Sequence, residues 1–584
     1  MQLHFFSASI GFAIFSTAIV LATGGCQPET PQVIRPTPLP QDKNIQVFMN
    51  HDPAASYTEP YRGYTRAGSN LEQVIIDTIA TARSSVDVAV QELRLPGIAQ
   101  ALAERHKAGI KVRVVLENTY ARPYSQFTAE DVANLPERER DRYQEARRLI
   151  DLNGDEQLGQ NEIDQRDALV MLNNAQIPRI DDTADGSAGS NLMHHKFLVI
   201  DQQTVIVSSA NLTTSDVHGD FKSQHSRGNA NNLLKINSPE LATVFTEEFN
   251  YLWGDGPGNK SDSLFGIKKT FHPARQIQVG STTIEVQFSP SSKTVSWEQS
   301  TNGLISRTLT GAMKSIQMAL FVFSDQHLVN QLEPVQQKGI TIQALIDPGF
   351  AYRPYSEALD MMGVSLLDDC RSEENNHPWK TAIATVGVPR LTPGDLLHHK
   401  FGIVDQRTTI AGSHNWTDAA NRGNDETLLV INNEVVTAHY QREFERLYTN
   451  AILGVPPAIQ KKAIAQAQNC PVTASTQPQA TLVQTTAPAA IAPQTKPPFP
   501  PKTTQIRSLT PKTTHQATST PKQQINLNTA TQTELEELPG VGPGLAKRIM
   551  AARQKKRFTS LADLDQVSGV GPKLLLKLKD RVTW

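Results

Sequence analysis

The stretch HHKFLVID at residues 194–201 recurs as HHKFGIVD at residues 398–405, so the pattern His-x-Lys-x4-Asp occurs twice with the same internal spacing. A second shared block follows each copy, SSAN at 208–211 and GSHN at 412–415. If His-x-Lys lies on a strand, its two side chains share a face, because strand side chains alternate. Histidine, lysine, serine and asparagine, each supplied twice, suit a site that attacks a phosphodiester without a metal ion.

The two patterns resemble the paired motifs of the phospholipase D superfamily, over about residues 44–455. The resemblance implies an α/β fold of two similar domains packed about a pseudo-twofold axis, and a monomer with both motifs in one site. It implies that one neutral histidine attacks phosphorus while the other, protonated, gives its proton to the leaving alkoxide. The lysines neutralise the phosphoryl charge, so no cofactor is expected for catalysis.

The resemblance also suggests a role for each histidine. The N-terminal histidine is the usual nucleophile, so we expect His194 to attack and His398 to act as the acid. The family places a carboxylate downstream of each pattern to orient the histidine ring. Glu426 fits the second pattern, but the first offers Asn231. An amide oxygen orients an imidazole but stabilises its cation less.

The amide in the first half leaves alternatives open. Asp216 or Asp220 could supply the missing carboxylate, or the two histidines could exchange roles. Asp201 and Asp405 are interpreted as structural, pairing within the motif, and the second histidine of each pattern as a satisfied core or supporting residue. The expected catalytic set is His194, Lys196, Asp201, Ser209, Asn211, His398, Lys400, Asp405, Ser413, Asn415 and Glu426.

Further repetition around the two patterns predicts alternating strands and helices in each half, which is typical of an α/β sheet. We assign residues 44–265 to the first domain and residues 266–455 to the second. The matching predicted strands are 45–48 and 286–290, 86–90 and 316–320, and 110–115 and 340–345.

The first half carries about 27 extra residues between the repeated RPYS (122–125 and 353–356) and the histidine pattern. The insertion covers about residues 137–172, with helix-forming residues on both sides of DLNGDEQLGQNE at 151–162. This stretch resembles an EF-hand loop and predicts a structural calcium ion, although Glu156 replaces the usual glycine. A polar helix-turn-helix is the alternative. The expected ligands are Asp151, Asn153, Asp155, Gln157 and Glu162.

The N-terminal segment predicts export from the cytoplasm. Residues 1–26 contain a short apolar run that ends in small residues before Cys26, and resemble a bacterial lipoprotein signal with Cys26 as the lipidated residue. Simple secretion and an uncleaved membrane anchor are the alternatives. The proline-containing residues 27–43 are expected to form a tether. Cys370 and Cys470 could form a disulfide outside the cytoplasm or remain two unrelated thiols.

The C-terminal part differs from the body in composition and charge. Residues 471–524 are rich in Pro, Thr, Gln and Ala, and predict an extended, disordered linker. From residue 471 onward there are 15 Lys/Arg and 6 Asp/Glu, a net charge of +9, against −11 for the rest. A basic end on an acidic body suggests a module that binds a polyanion.

Residues 525–584 resemble the tandem helix-hairpin-helix domain of bacterial competence DNA receptors, through LPGVGP at 538–543 and VSGVGP at 567–572. Gly-x-Gly allows the backbone amides to approach a phosphate, so binding should ignore base sequence. A protein-docking or purely structural module is the alternative. The expected DNA-binding residues are Gly540, Gly542, Lys547, Arg548, Gly569, Gly571, Lys573 and Lys577.

Three functions fit these features. We favour an exported, DNA-cleaving phosphodiesterase, because a phosphate-binding domain on a flexible basic tether raises the local DNA concentration. The second is a phospholipase D that acts on phospholipid head groups, which a membrane anchor also permits. The third is a non-catalytic DNA-capture protein, although both histidine patterns are intact.

Overall fold

The structure is a computed structural model that describes residues 35–187, 191–373, 375–470 and most of 525–584. In the C-terminal part it omits 532–533, 536–537, 539–540, 542, 566, 568–569, 571–574, 576–577 and 580. The contacts divide the chain into two compact units, Met1–Gln477 and Pro478–Trp584. The predicted signal with Cys26, most of the predicted tether and the predicted linker 471–524 lie outside the described residues.

The first half of the N-terminal unit is one mixed sheet with helices packed on it. In chain order its elements are β1 (Ile45–Met49), β2 (Ser56–Thr58), β3 (Thr65–Ala67), α1 (Leu71–Ala80), β4 (Ser85–Val90), α2 (Pro96–Lys107), β5 (Lys111–Leu116), α3 (Ala129–Asn134), α4 (Glu137–Ile150), α5 (Gln160–Arg166), α6 (Ala168–Asn174), β6 (Arg179–Asp181), β7 (Lys196–Ile200), β8 (Thr204–Ser208), α7 (Thr214–Val217), β9 (Asn232–Asn237) and α8 (Pro239–Trp253). The sheet order is β1-β9-β8-β7-β4-β5-β6.

The second half repeats this plan. In chain order its elements are β10 (Arg275–Val279), β11 (Thr282–Ser289), α9 (Thr301–Thr310), β12 (Ser315–Leu320), β13 (Phe323–Ser324), α10 (Gln326–Gln337), β14 (Thr341–Ile346), α11 (Glu357–Met361), β15 (Val386–Val388), β16 (Lys400–Val404), β17 (Thr408–Gly412), β18 (Trp416–Thr417), α12 (Asp418–Arg422), β19 (Glu426–Asn432), α13 (Glu434–Tyr448), β20 (Ile452–Leu453) and α14 (Pro457–Asn469). The sheet order is β10-β11-β19-β17-β16-β12-β14-β15-β20.

The two sheets face each other across a shared apolar core. Phe197 and Phe245 of the first half and Phe401 and Phe444 of the second belong to this core. A separate core lies between the first sheet and α1, α2 and α6, and another between the second sheet and α9, α10 and α11. Both histidine patterns lead into strands, β7 and β16, that are buried throughout, as their continuous apolar sequence predicts.

The α/β fold with two similar domains is confirmed, and the predicted strands are present with ends shifted by one or two residues or, in β11, extended towards the N-terminus. β4 and β5 are parallel, as are β12 and β14, while β7 and β16 run antiparallel to the neighbouring central strands. One strand at the edge, β10, was not predicted. It pairs with β11, and its alternately exposed residues are those of an edge strand with one face in solvent.

The insertion in the first half is helical on both sides of the predicted calcium loop. α4 begins and ends where the sequence predicted, and α5 and α6 replace the single second helix, because the Asp167 side chain caps α6. The EF-hand-like loop connects α4 to α5, and α5 packs against both α4 and α6. Among the described residues, no helix is both long and apolar enough to cross a lipid bilayer.

The C-terminal unit is small and mainly helical. Its named elements are β21 (Ile525–Asn526), α15 (Pro543–Lys555), α16 (Leu561–Asp565) and β22 (Val582–Thr583), with β21 and β22 parallel. Its core includes Leu527, Ile549, Phe558 and Leu564. A similar turn hydrogen bond occurs in each of the two predicted hairpins. The amide of Val541 donates to the Leu538 carbonyl (3.0 Å), and the amide of Val570 donates to the Val567 carbonyl (2.9 Å).

A disulfide closes a long segment of the second half. Cys370 and Cys470 are joined with a Cα–Cα distance of 5.3 Å across a sequence separation of 100 residues. Gln466 of α14 reinforces the same contact, because its side chain accepts from the Leu367 amide (3.1 Å) and donates to the Leu367 carbonyl (2.8 Å). Of the two alternatives for these cysteines, the structure favours the disulfide.

A buried ion-pair network joins the two halves. The Lys269 ammonium lies 2.7 Å from a carboxylate oxygen of Asp425 in the second half, and also contacts Glu248 on α8 of the first. Burial opposes ionisation of Glu248, but Lys269 and His195 outweigh it and hold the pKa of Glu248 at about 2. The same two carboxylates outweigh burial at Lys269 and raise its pKa. The three charged groups together stabilise the contact between the two halves.

We predict that a Cys370→Ser/Cys470→Ser variant loses about 2–5 kcal/mol of free energy of unfolding, because the open chain gains the entropy that the crosslink removes. Urea unfolding of the oxidised protein and the variant measures the difference. Reductant should lower the midpoint of the wild type and leave that of the variant unchanged. Equal midpoints for the variant and the oxidised wild type would contradict the crosslink.

We predict that Lys269→Met lowers the free energy of unfolding by about 3–5 kcal/mol, because two buried carboxylates lose their counter-charge. Lys268→Met, at the exposed neighbouring position, should change it by about 0.5 kcal/mol at most. The folded pKa of Glu248 lies below its usual 4.5, so its stabilisation is complete above pH 4.5 and is lost as the pH falls through about 2. Denaturant unfolding of both variants at pH 7 and pH 4 tests this network; equal effects of the two substitutions would argue against it.

Candidate active site

His194 is held by the opposite half of the unit. Its amide donates to the Asp425 carbonyl (2.9 Å), and its ring Nδ1 lies 2.7 Å from the Glu426 carboxylate. Because a carboxylate accepts, Nδ1 carries the proton and Nε2 keeps its lone pair. Glu426 is fully buried at the start of β19 and also accepts from the Ser413 hydroxyl (2.7 Å). The His194 ring is thereby oriented, and its role as nucleophile stays a prediction.

His398 is likewise held by the opposite half, which for this histidine is the first half. Its amide donates to the Ala230 carbonyl (3.1 Å), and its Nδ1 donates to the Asn231 amide oxygen (3.1 Å). An Asp216 carboxylate oxygen lies 3.8 Å from the same nitrogen. The sequence offered Asp216 as a carboxylate for the first pattern, but the structure places it beside His398 of the second.

The pairing of histidines with orienting residues is exchanged between the halves. The sequence suggested that Glu426 orients His398 and Asn231 orients His194, each within its own half; the structure pairs them across the halves. The physical reason is that β7 and β19 lie in different sheets whose ends meet here, as the bridges Met193–Asp425 and Ala230–Leu397 show. The carboxylate thus supports His194, which agrees with its expected role as nucleophile.

The two serines support this arrangement without lining the cavity. The Ser209 hydroxyl donates to the Asn231 amide oxygen (2.7 Å), as Ser413 does to Glu426. Each serine is fully buried and also accepts a backbone amide from the strand beside it. Their hydroxyls fix the orienting residues, and a direct part of either serine in catalysis stays a prediction.

The two lysines lie buried beneath the histidines. Lys196 Nζ donates to the His194 carbonyl (3.0 Å) and to the Gln91 side chain (3.1 Å). Lys400 Nζ donates to the His398 carbonyl (2.6 Å) and lies 5.0 Å from the centre of the Phe321 ring. Each lysine therefore shares a face with its histidine, although the strands themselves begin at the lysines.

The four basic groups depress one another's proton affinity. Burial, reinforced by Lys196 and Lys400, holds the pKa of His194 well below 6.5, and burial with Lys400 and Lys196 does the same to the pKa of His398. Burial lowers the pKa of Lys196 to about 8. Both imidazoles are therefore neutral at pH 7 before an anion binds. A phosphodiester beside them favours their cations and would raise the pKa of the one that must act as the acid.

Asn211 and Asn415 follow the supporting serines. Each follows the histidine of its own pattern along the chain. The side-chain oxygen of each is buried and has no hydrogen-bond partner among the described residues. The backbone amide of Asn211 donates to the Asp216 carboxylate (2.7 Å), and this bond fixes the start of the loop between β8 and α7. Asn211 and His398 line one cavity of about 900 Å³, open mouth included. The cavity is where a substrate reaches the second imidazole.

Asp201 and Asp405 lie away from the cavity. Each accepts the amides of the loop before a central strand, Ser84 and Ser85 for Asp201 and Lys314 and Ser315 for Asp405, at 2.7–2.9 Å. They tie the turn after β7 or β16 to that strand. Their structural interpretation fits, but their partners lie outside the motif, so the suggested pairing within it is wrong.

The second histidine of each pattern belongs to the interior. His195 is fully buried between Thr427 Oγ1 (2.9 Å) and Glu248 (3.1 Å), and His399 between the Asn232 amide (3.0 Å) and Glu443 (2.9 Å). Within the described residues, His195, Glu248 and Asp425 are the group of acidic and histidine ligands that converges. The Lys269 ammonium already contacts both carboxylates, so this group is an ion-pair network.

The EF-hand-like loop binds its own backbone. Asp151 accepts the amides of Gly154 (2.8 Å) and Glu156 (2.9 Å), and Glu162 accepts those of Leu152 (2.8 Å) and Gly159 (2.8 Å). Glu156, at the usual glycine position, adopts φ +63°, the conformation such a loop requires there. Asn153 and Asp155 are exposed in the same loop, as is Gln157. Calcium at this loop stays a prediction.

Most of the predicted DNA-binding residues cannot be placed. Gly540, Gly542, Gly569, Gly571, Lys573 and Lys577 lie outside the described residues. Lys547 and Arg548 lie on α15, directly after the first hairpin, and Arg548 is exposed. Val541 and Val570, each between the two glycines of its hairpin in sequence, donate matching turn hydrogen bonds, as a tandem motif requires.

Several residues of the site were missed from the sequence. Gln91 and Glu92 follow β4, and Arg142 lies on α4 of the insertion; Lys196 bonds Gln91, and Arg142 lies 3.3 Å from Glu92. A polar pair directly after a buried parallel strand was the available signal for Gln91 and Glu92. Arg142 had no signal, because nothing in the sequence fixes which face of α4 meets the cavity.

The relatives of this chain fall into two groups. The mitochondrial cardiolipin hydrolase of Xenopus laevis is 29% identical over 140 residues, which are 24% of this chain and 57% of that protein; the human protein of that name is 28% identical over 142 residues, 24% and 48%. The chain thus spans about half the length of these curated relatives. ComE operon protein 1 of Bacillus subtilis is 43% identical over 60 residues, 10% of this chain and 29% of that protein.

Solved structures give the following likenesses. Phosphatidylserine synthase of Haemophilus influenzae is 15% identical with a TM-score of 0.42, and covers 75% of this chain and 95% of its own. Nuc of Salmonella typhimurium, a phospholipase D family member, is 19% identical with a TM-score of 0.21, and covers 36% of this chain and 95% of its own.

Two family models match this chain. The one described as "Cardiolipin synthase, PLD-like domain" matches residues 75–253 and 305–448, and the one described as "Helix-hairpin-helix motif" matches residues 520–583. The first covers more than half of the chain and includes both histidine patterns. The chain therefore belongs to the phospholipase-D-like family, and it carries a helix-hairpin-helix motif at its C-terminus.

Proposed function

We propose that this chain is an exported phosphodiesterase that cleaves DNA through a covalent phosphohistidine. Members of its family are phosphodiesterases, which supports hydrolase activity. The observation that carries the proposal is the exchanged pairing, in which Glu426 orients His194 from the opposite half and Asn231 orients His398. It brings one oriented imidazole from each half to a single place.

In the first step His194 attacks phosphorus. Its Nε2 lone pair forms the N–P bond, while Nδ1–H remains bonded to Glu426, which stabilises the positive charge that develops on the ring. The bond from phosphorus to the leaving oxygen breaks, and protonated His398 gives its proton to that oxygen. Lys196 and Lys400 stabilise the charge on the non-bridging oxygens.

In the second step water replaces His194 on phosphorus. His398, now neutral, takes a proton from the water as its oxygen attacks, and the N–P bond breaks to release the phosphate product and neutral His194. His398 is then protonated; it loses this proton to solvent when the anionic product leaves, and the next bound phosphodiester favours its protonation again. Asp216, 3.8 Å from His398 Nδ1, favours the cation that this cycle needs.

The proposed reaction uses no metal ion. The positive charge at the phosphoryl oxygens comes from Lys196 and Lys400. Burial, reinforced by Lys196, lowers the pKa of Lys400 well below its usual value, and a bound phosphodiester favours its ammonium form. The pKa of Lys196, lowered by burial to about 8, leaves it charged at pH 7.

DNA as substrate is supported by the C-terminal unit. Residues 520–583 match a helix-hairpin-helix motif, and the relative at 43% identity over 60 residues is named ComE operon protein 1. From residue 471 the chain carries a net charge of +9, which favours a polyanion. We propose non-sequence-specific DNA binding through this unit.

Phospholipid is the second candidate substrate. The matching family model and several relatives are named for cardiolipin, a phospholipid with two phosphodiester groups. The reaction at phosphorus would be the same. A non-catalytic DNA-capture role is disfavoured, because both patterns keep an oriented histidine and a buried lysine.

Export is supported by the disulfide. Cys370 and Cys470 form a crosslink that persists in oxidising compartments and is rare in the cytosol. We propose that residues 1–26 direct export, with lipidation of Cys26 as the anchor.

We predict that the protein lacking residues 1–26 nicks supercoiled plasmid DNA in EDTA, because lysines replace the metal. His194→Ala and His398→Ala should each lose about 10³-fold or more of this activity. His225→Ala, which removes an exposed histidine of the same half, should retain it. Gel electrophoresis of the plasmid measures all four proteins. Hydrolysis of phosphatidylcholine or cardiolipin vesicles with intact plasmid would establish the lipid function instead.

Deletion of residues 525–584 separates the two modules in the same assay. The shortened protein should turn over a small diester such as bis(p-nitrophenyl) phosphate at the wild-type rate, while its DNA cleavage weakens, because local DNA concentration falls. DNA binding that survives the deletion unchanged would remove the C-terminal unit from the proposal.

A further inference from the structure

The cavity beside His398 has a wall that only the first half provides. Helix α4 of the insertion presents Arg138 and Arg142 to it, together with Asp141 and Glu145. Because these positions are three or four residues apart, they share one face of the helix. Between its RPYS and β15, the described residues of the second half form only the short helix α11. The active site is therefore asymmetric, although its catalytic residues are paired.

The ion pairs of Arg142 with described residues are made through one nitrogen, Nη1. It lies 3.3 Å from Glu92, which also lies 3.2 Å from Arg94 Nε, and 4.0 Å from Glu139. Arg142 Nη1 also donates to the Tyr120 hydroxyl (2.6 Å), which holds the guanidinium in place. The charge of Arg142 acts on the site, because Arg142 is one of the groups that lower the pKa of His398.

Arg138 is a second cation one helical turn before Arg142. It is exposed and makes no ion pair with any residue that the structure describes. The acidic residues on the same face have partners of their own. Asp141 lies 3.9 Å from the Lys222 ammonium, and Glu145 lies 2.6 Å from the Arg148 guanidinium. The cavity face of α4 therefore presents two guanidiniums at positions i and i+4.

Two further carboxylates of the cavity do not belong to α4. Asp216 accepts the Asn211 amide and the Asn229 side chain, and lies beside His398. Asp220 follows α7. The cavity thus has carboxylates beside the imidazole, which suits a protonated His398, and two guanidiniums on α4, which can donate hydrogen bonds to an anion.

We propose that Arg138 and Arg142 bind a second phosphate, that of the nucleotide leaving with the alkoxide, and so select a polynucleotide strand. The inference rests on the proposed function, in which His398 protonates the leaving oxygen; the leaving side of the substrate then faces the cavity that contains His398. A guanidinium matches the geometry of phosphate through two parallel hydrogen bonds. His398, Arg138 and Arg142 all line this one open cavity, so an anion bound by the arginines would lie in the same cavity as the imidazole.

The test compares two substrates that share the chemistry and differ on the leaving side. One is a short single-stranded oligonucleotide, whose leaving strand carries phosphates. The other is thymidine 5′-(p-nitrophenyl phosphate), whose leaving group carries none. The readout is the ratio of kcat/KM for the oligonucleotide to that for the small diester, so that a general loss of folding or chemistry cancels.

We predict that Arg138→Gln and Arg142→Gln each lower this ratio about tenfold, the effect of one lost charge-assisted hydrogen bond. The slope of log kcat/KM against log salt for the oligonucleotide should become shallower by about 0.7 per arginine. Arg142→Lys should keep part of the ratio, because it keeps the charge but loses the paired hydrogen bonds. Arg140→Gln is the matched control. Arg140 lies on the same helix and donates to the carbonyls of Ala133 and Leu135, so its loss should leave the ratio unchanged.

The outcomes separate this proposal from the proposed function. Wild-type protein that cleaves neither substrate would overturn the function itself. Wild-type protein that cleaves both, with an unchanged ratio in the Arg138→Gln/Arg142→Gln variant, would overturn the subsite alone. Cleavage of the small diester without the oligonucleotide would also overturn it. If the two variants instead lower the rate on cardiolipin vesicles relative to phosphatidylcholine vesicles, the second phosphate belongs to a lipid and the nucleic-acid assignment is wrong.

Discussion

The exchange of orienting residues between the two halves is the constraint on which the active site depends. His194 obtains its carboxylate from β19 of the second half, and His398 obtains its amide from the segment before β9 of the first. Neither half can orient its own histidine. The shared apolar core, with Phe197 and Phe245 facing Phe401 and Phe444, and the Lys269 network hold the halves in the register that this exchange needs. A phosphodiester site in this protein is therefore a property of the packed pair.

Burial then sets the chemistry of the paired residues. Two lysines and two histidines are buried together, and burial, reinforced by the lysine charges, favours neutral imidazoles. In the proposed reaction, the phosphodiester supplies a negative charge and so favours protonation of His398. Glu426 and Asn231, which differ in charge, would then give the two rings different roles.

Asymmetry is added to this symmetric plan by the insertion. The two sheets have the same central order, and the serine–orienting residue–histidine chain is repeated in both directions. Only the first half, however, places a long polar helix beside its cavity, and only the first half has an amide where the family has a carboxylate. These differences occur on the side of His398, the proposed acid. The leaving side of the substrate is where this chain departs most from a symmetric enzyme.

The sequence predicted what depends on local pattern and missed what depends on packing. Buried strands such as β7 and helix α4 follow from continuous apolar runs and helical spacing, and their bounds were close to those observed. The contact between His194 and Glu426 spans 232 positions and two sheets, so no local rule could assign it. From the sequence alone, Lys269 would be expected at the surface, in a linker. Its burial is explained by the carboxylates of Glu248 and Asp425, which converge on it. The β10 edge strand was missed because its alternation is short and half polar.

Mass-spectrometric mapping of a trapped phosphoenzyme tests the central claim most directly. With a p-nitrophenyl diester the leaving group needs no proton, so a His398→Ala variant can still form the intermediate but lacks the base that hydrolyses it. The account predicts that phosphate accumulates on the peptide with His194. Accumulation on His398 in a His194→Ala variant, with none in His398→Ala, would reverse the roles. Absence of label from both variants, while the wild type turns over the diester, would contradict the covalent mechanism.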